Sequence, residues 1–320
     1  MLQLPTFQDV LKARQIVRRY LPRTPLHFYP ALGDLLGCQV YVKHENHQPV
    51  GAFKVRGGVY LTSQLSEDER RRGMITASTG NHGQSIAYAG RLFGVRAVIG
   101  VPEGANPGKV AAMRALGADV RFHGADFDAA REYVERLAAD EGFRYVHAGN
   151  EPHLIAGVGT YALEILEDLP DVETILVPVG GGSGAAGICT VVKAAKPTVE
   201  VIGVQAAAAP AAYKSWKARR LVEDRTETFA EGLATRTAFS LPQRILWQHL
   251  DDFVLVSEED MRQAIVLMLE QTHNLAEGAG AAAMAAAVNL KERLAGRKVA
   301  VVLSGGNLSV EKLRWALALE

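Results

Sequence analysis

Val177-Pro178-Val179-Gly180-Gly181-Gly182-Ser183-Gly184-Ala185-Ala186-Gly187 is an apolar run that breaks into glycines and reopens as a helix. A strand that ends in such a loop and feeds a helix is the repeating unit of parallel α/β architecture. The pattern recurs nearly from end to end. Strand candidates are Val40–Lys43, Met74–Ala77, Ala97–Val101, Asp119–Phe122, Arg144–Val146, Thr174–Val179, Glu200–Gln205, Phe253–Val256 and Lys298–Leu303. Helical patterns fall between them at Gly83–Phe93, Pro107–Leu116, Phe127–Asp140, Gly157–Leu166 and Glu258–Asn274. The expectation is an α/β chain with two open, mainly parallel sheets flanked by helices. Three strand-helix repeats of similar length mark a small α/β domain over 73–147, with 1–72 and 148–320 forming a larger one. Ligands in such folds bind outside the carboxyl ends of strands, so the loops after strands are where function is sought.

Bulk composition narrows the function classes. The 320 residues carry 35 basic and 35 acidic side chains, a net charge of zero, which argues against a nucleic-acid partner. Cys38 and Cys189, the only cysteines, form neither a metal spacing nor a disulfide framework. Met1-Leu2-Gln3-Leu4-Pro5 lacks a signal-peptide pattern, and the Ala-rich stretch 279–288 is too short to span a bilayer. The expectation is a soluble, cytoplasmic protein with no membrane partner.

Four loops carry the chemistry. In 180–184, glycine backbone, a helix N-terminus and the Ser183 hydroxyl make a cup for one phosphate monoester. The same loop satisfies G-x-G-x-x-G through Gly182, Gly184 and Gly187, the pattern of a dinucleotide site in a nucleotide-dependent oxidoreductase. Such a site wants an acid at the end of the next strand, and that strand ends in Gln205. A second loop, Gly51-Ala52-Phe53-Lys54-Val55-Arg56-Gly57-Gly58, sets a lysine between an aromatic ring and glycines. Glycines admit a bulky partner closely, and a desolvated lysine becomes a nucleophile suited to a Schiff base. The third, Ser78-Thr79-Gly80-Asn81-His82, follows a strand and opens a helix that Ser78 or Thr79 would cap. It is rich in donors for a carboxylate, although a plain capping turn would use some of the same residues. The fourth, Ser304-Gly305-Gly306-Asn307, again ends a strand, and Glu277 among small residues is a further cavity candidate.

Taken in order, the lysine loop, Ser-Thr-Gly-Asn-His, the glycine cup and Ser-Gly-Gly-Asn resemble the fold-type II, tryptophan synthase β-like enzymes of pyridoxal 5'-phosphate. Within them the likeness is to serine/threonine dehydratases (threonine ammonia-lyases) and serine racemases, over essentially the whole chain. The resemblance implies an active site between the domains. It implies that Lys54 forms the internal aldimine and serves as base at Cα, with Phe53 packed on the cofactor ring and Asn81 on its phenolic oxygen. Gly180, Gly181, Gly182, Ser183 and Gly184 would hold the phosphate, and Ser304 would meet the ring nitrogen. Ser78, Thr79, Gly80, Asn81 and His82 would receive the substrate carboxylate. A neutral hydroxyl at the ring nitrogen makes a weaker electron sink than a carboxylate would, which fits β-elimination better than transamination.

The implied activity is dehydration and deamination of L-threonine, L-serine or a related 3-hydroxy amino acid to a 2-oxo acid and ammonia. Departures from the pattern leave room beside it. Thr79 stands where dehydratases often carry Ala and racemases a hydroxyl acid, which keeps an amino-acid (serine) racemase open. Gly149 stands where relatives often have Asn or Phe, enlarging the pocket. Ser183 replaces a usual fourth glycine. Many relatives bind a cation near an Ala-acid-Gly turn, here Ala230-Glu231-Gly232, but Thr237 replaces the further acid, so no metal is expected. The chain ends thirteen residues beyond Asn307, leaving no room for a regulatory domain and favouring a catabolic enzyme. A homodimer is implied by the resemblance alone.

Overall fold

The computed structural model describes residues 2–318. Among them run ten strands: β1 Leu26–Phe28, β2 Gln39–His44, β3 Met74–Ala77, β4 Ala97–Val101, β5 Asp119–Phe122, β6 Arg144–Tyr145, β7 Thr174–Pro178, β8 Glu200–Ala206, β9 Asp252–Val256 and β10 Lys298–Leu303. The chain divides into two compact units, one of Met1–Leu21 with Lys54–Val158, the other of Pro22–Phe53 with Gly159–Glu320.

The first unit is built on a parallel four-stranded sheet in the order β5-β4-β3-β6. Central β3 and β4 are buried at every position, as continuous apolar strands covered on both faces must be. Its cores gather Met74, Ile86, Ile99 and Met113 on one side and Ile75, Val98, Val134 and Phe143 on the other. This unit exceeds the 73–147 expected from sequence, because the helices Phe7–Tyr20 and Lys54–Ser63 belong to it. The reason lies in the glycine pair 57–58. A Cβ on Gly58 would stand 2.3 Å from Ser85 Oγ of the helix Asn81–Phe93, and one on Gly57 2.8 Å from Leu154 Cδ2. These glycines let helices approach each other, where the sequence reading had them admitting a bulky partner.

The second unit carries a six-stranded sheet in the order β1-β2-β10-β7-β8-β9. All pairs are parallel except β1 with β2. The Ala-rich segment becomes the helix Gly278–Asn289, buried from Gly278 through Ala287. Small side chains all round let it lie within the core among Leu176, Ile202, Val204, Val299 and Val301. No described helix is long and apolar enough to cross a membrane.

In each sheet the strand order reverses once. The first sheet reverses between β3 and β6, the second between β7 and β10. Crevices for ligands open at such switch points, outside the strands' carboxyl ends. The loops that start there are Ser78–His82 and 146–150 in one unit, Gly180–Gly184 and Ser304–Asn307 in the other.

Candidate active site

In the second unit the β7 loop leaves no room for a side chain at its first two positions. A Cβ at Gly180 would stand 2.0 Å from the Gly232 carbonyl oxygen, and one at Gly181 2.2 Å from Phe239 Cε2. Gly182 has φ +90° and acts as N-cap of the helix Ser183–Ala195, which has no side-chain cap. The first-turn amides of a helix lack intrahelical acceptors and carry the positive end of its dipole, so they suit a phosphate. Ser183 is 3% exposed, and at Gly184 a Cβ would meet Phe53 Cε2 and the Tyr161 hydroxyl, each at 3.2 Å. Gln205, at the end of β8, uses its Oε1 to accept the Tyr213 amide at 2.9 Å, a helix-entry role.

Phe53 also ties this cup to the β10 turn. Its amide donates to the Ser304 carbonyl at 3.0 Å, Ala52 bridges Gly305, and the Gly306 amide donates to Gly51 O at 2.9 Å. The Asn307 side chain donates to Val50 O at 2.8 Å. Glu277 closes the turn from below: its amide donates to Gly305 O at 3.1 Å, and its Oε1 lies 2.6 Å from where a Cβ on Gly305 would sit. Phe53, the cup and Ser304 are thus brought together. Beside them, the Glu231 carboxylate pairs with Lys312 Nζ at 2.6 Å, and the same ammonium donates to Phe229 O at 3.1 Å.

Lys54, the next residue in the chain, starts the helix Lys54–Ser63 of the first unit. Burial lowers its amine pKa to about 8 from an ordinary 10.5. At pH 7 that gives roughly 300-fold more neutral amine than an ordinary lysine has. The amine donates to the Ala148 carbonyl at 3.3 Å, and the Ser85 hydroxyl donates to the Lys54 carbonyl at 2.7 Å.

The β3 loop differs from expectation in how its helix is capped. Gly80 is the N-cap and supplies no side chain, and Ser78 Oγ reaches past it to accept the Gly83 amide at 2.9 Å and the Gly80 amide at 3.2 Å. Ser78 therefore caps from a distance while Thr79, partly exposed, is left out of the cap. Asn81 and His82 hold the first two positions of the helix Asn81–Phe93, where amides have no intrahelical acceptor.

His82 is 6% exposed, and its pKa falls to about 3 through burial first and then the charges of Lys54 and His147. Its Nε2 lies 3.0 Å from Thr76 Oγ1, and that hydroxyl donates to Val146 O at 2.7 Å. The hydroxyl's one proton is spent on the carbonyl, so Nε2–H must be the donor and Nδ1 stays bare. No side chain or backbone donor faces that Nδ1 among the described residues. A neutral ring in this tautomer offers a carboxylate no proton, so any help from His82 to an anion must come from its backbone amide.

Sequence reasoning missed Thr76, His147, Ala148 and Tyr161. Only His147 left a trace, standing directly after a strand end in His147-Ala148-Gly149-Asn150. Its Nδ1 accepts the amides of Gly149 and Asn150 at 3.0 and 2.9 Å.

A buried amine of lowered proton affinity and a glycine loop at a helix N-terminus are the kinds of group that chemistry through a phosphorylated carbonyl cofactor calls for. The family model described as pyridoxal-phosphate dependent enzyme matches residues 17–305, and the chain belongs to that family. It is 41% identical over 311 residues to an L-threonine ammonia-lyase of Thermotoga maritima, covering 96% of this chain and 77% of that protein. Among solved structures, the processed form of threonine deaminase isoform 2 from Solanum lycopersicum superposes with TM-score 0.93 at 31% identity, over 99% of this chain and 95% of that one. A serine racemase from Dictyostelium discoideum gives TM-score 0.90 at 30% identity, over 96% and 99%. The chain is a fold-type II enzyme dependent on pyridoxal phosphate, and its two helix-flanked sheets agree with the α/β expectation.

Proposed function

We propose that this chain catalyses β-elimination from a 3-hydroxy amino acid, L-threonine first and L-serine second, giving a 2-oxo acid and ammonia. The observation that carries the reading is the buried Lys54 amine, set 3.3 Å from the Ala148 carbonyl and brought by burial to about 8. An amine so placed can both take up a carbonyl cofactor and accept a proton near neutral pH.

The residues fit pyridoxal phosphate. Its phosphate would sit on the backbone of Gly180, Gly181, Gly182, Ser183 and Gly184, where any Cβ at 180 or 181 would collide with the wall. Phe53 would pack on its ring, Asn81 would meet its phenolic oxygen, and Ser304 its ring nitrogen. Bound there, the cofactor supplies an electron sink that acidifies the substrate Cα–H.

The chain's own residues would do the rest. Lys54 would hold the aldehyde end and then remove the Cα proton. The Asn81 and His82 amides, with Ser78, Thr79 and Gly80, would seat the substrate carboxylate at a helix N-terminus. Ser304, a neutral hydroxyl, would leave the ring nitrogen unprotonated, favouring prompt loss of the β-hydroxyl. The naming of the Thermotoga relative supports threonine, and Thr79 supports a second reading as an amino-acid racemase, with the hydroxyl as proton donor on the face opposite Lys54. Homodimeric assembly and a cytoplasmic site of action belong to the same proposal.

A panel of 3-hydroxy amino acids, scored for 2-oxo acid and for enantiomer, tests it. Keto acid from L-threonine with little D-product is the expected result. Mostly D-serine from L-serine, with little pyruvate, would favour the racemase, and no turnover of any panel member would sink both.

A further inference from the structure

We propose that His147 is a positioning residue for the Lys54 amine, its bare Nδ1 folding the 147–150 segment so that the Ala148 carbonyl is presented to Nζ. The proposal rests on the reading of Lys54 as the residue that takes up the cofactor.

The segment is fixed at both ends. On the β6 side, Arg144 reaches forward to Glu151 through two parallel bonds at 2.9 and 2.8 Å. Glu151, 8% exposed, also accepts the His147 amide at 3.4 Å, and its carbonyl accepts the Ile155 amide at 3.1 Å as the next helix begins. Between these anchors lie three residues whose course is set by the His147 ring. Nδ1 accepts two backbone amides, Gly149 at 3.0 Å and Asn150 at 2.9 Å. Two donors aimed at one nitrogen exclude a proton there, so the ring proton sits on Nε2, and the Asn150 side-chain amide 3.3 Å away must turn its oxygen rather than its NH2 to it. The Ala148 carbonyl, inside the loop this ring closes, is the group 3.3 Å from Lys54 Nζ.

The choice of a carbonyl has a chemical consequence. A carboxylate in that place would hold Lys54 as an ammonium ion. A carbonyl dipole orients the amine while leaving burial free to lower its proton affinity. The ring itself remains neutral. Burial is the largest influence on it, Glu135 pulls its pKa up, and Lys54 and Arg131 push it down, to about 4. The other groups facing it are His82, coupled to it by charge, and Tyr145, whose ring lies edge-on at 6.5 Å. Nδ1 is therefore available as an acceptor through the neutral range.

The test compares His147→Ala, His147→Phe and His147→Asn in the full chain. Phe keeps the ring volume without a lone pair, while the Asn carbonyl can accept the same two amides. Two readouts are taken: the pH dependence of acylation at Lys54 in cofactor-stripped protein, followed by mass spectrometry, and the Kd for pyridoxal phosphate by visible absorbance. The wild-type labelling midpoint should lie near 8. Ala and Phe should move it up by a unit or more, as water reaches the amine, and weaken cofactor binding at least tenfold. Asn should return both to within threefold of wild type. A folded Phe or Ala variant with an unchanged midpoint and Kd would overturn the proposal, as would a folded Asn variant as impaired as Phe. If borohydride reduction of wild-type holoenzyme fixes no cofactor on Lys54, the underlying reading fails instead, and the two failures are told apart.

Discussion

Gly180→Ala is the sharpest perturbation of the phosphate cradle, and its size can be worked from distances. The new Cβ would stand 2.0 Å from the Gly232 carbonyl oxygen. An ordinary close carbon–oxygen contact is about 3.3 Å, so two backbone segments must part by about 1.3 Å. Neither neighbour is a flexible side-chain tip, and overpacking of this kind costs about 1–3 kcal/mol. Taking the upper end, and about 1.4 kcal/mol per tenfold, pyridoxal phosphate should bind roughly 100-fold more weakly. Gly184→Ala is the control in the same loop. Its Cβ would meet Phe53 and Tyr161 side-chain atoms at 3.2 Å, which a shift of a few tenths of an ångström relieves. Its cost should stay below about 1 kcal/mol, or about fivefold in Kd. Cofactor titration by visible absorbance, beside urea denaturation of each variant, reads both terms. Wild-type affinity in Gly180→Ala, or a larger loss in Gly184→Ala, would refute the reading of this loop as a close-fitting backbone cup.

Three further outcomes are expected. Thr79→Ala should abolish any serine racemisation while sparing keto-acid formation. Loss of both together would show that Thr79 serves the common step. Thr76→Val should cost about 1–3 kcal/mol in urea unfolding, because it removes the hydroxyl that donates to the buried Val146 carbonyl and faces His82 Nε2; a cost under about 0.5 kcal/mol would contradict that network. His44, His82 and His147 are held by burial, the first cause in each case, at about 4, 3 and 4, against an ordinary 6.5. Their folded pKa values lie below the unfolded ones, so unfolding takes up protons between about pH 6.5 and 4. The stability they allow is fully present above pH 6.5 and falls as pH drops, by up to about 1.4 kcal/mol per pH unit for each ring. A urea midpoint that stays flat from pH 7 to 5 would argue against three buried neutral histidines.

Much of this was legible in the chain because each loop follows a short apolar run. β3, β4, β5 and β10 begin and end where their side chains predicted, since turn residues or charged helix ends bracket each run. β1 escaped notice: its three residues, Leu26–Phe28, carry no periodicity, and its strand state depends on pairing with β2. The extent of the first unit was hidden for a similar reason. Nothing in residues 54–72 marks which unit they join, and the glycine pair 57–58 shows its purpose only once Ser85 and Leu154 lie against it. Lys54 was conspicuous by its glycines, and its lowered pKa agrees with the expected desolvation. What surrounds it was not, because Thr76, His147 and Ala148 act through backbone carbonyls and a single tautomer. Those bonds depend on three-dimensional closure, and residue identity alone does not announce them. The capping of the Asn81–Phe93 helix shows the same limit: a serine near a helix start was readable, but its reach past Gly80 to Gly83 was not.

The central claim is that Lys54 is the residue through which this enzyme holds its cofactor. Borohydride reduction of purified holoenzyme, followed by digestion and mass spectrometry, tests it in one step. The account predicts loss of the visible absorbance band, with the pyridoxyl mass on the peptide bearing Lys54 and no band at all in Lys54→Ala. A reduced cofactor on any other lysine, or a Lys54→Ala protein that still binds covalently and turns over L-threonine normally, would contradict it.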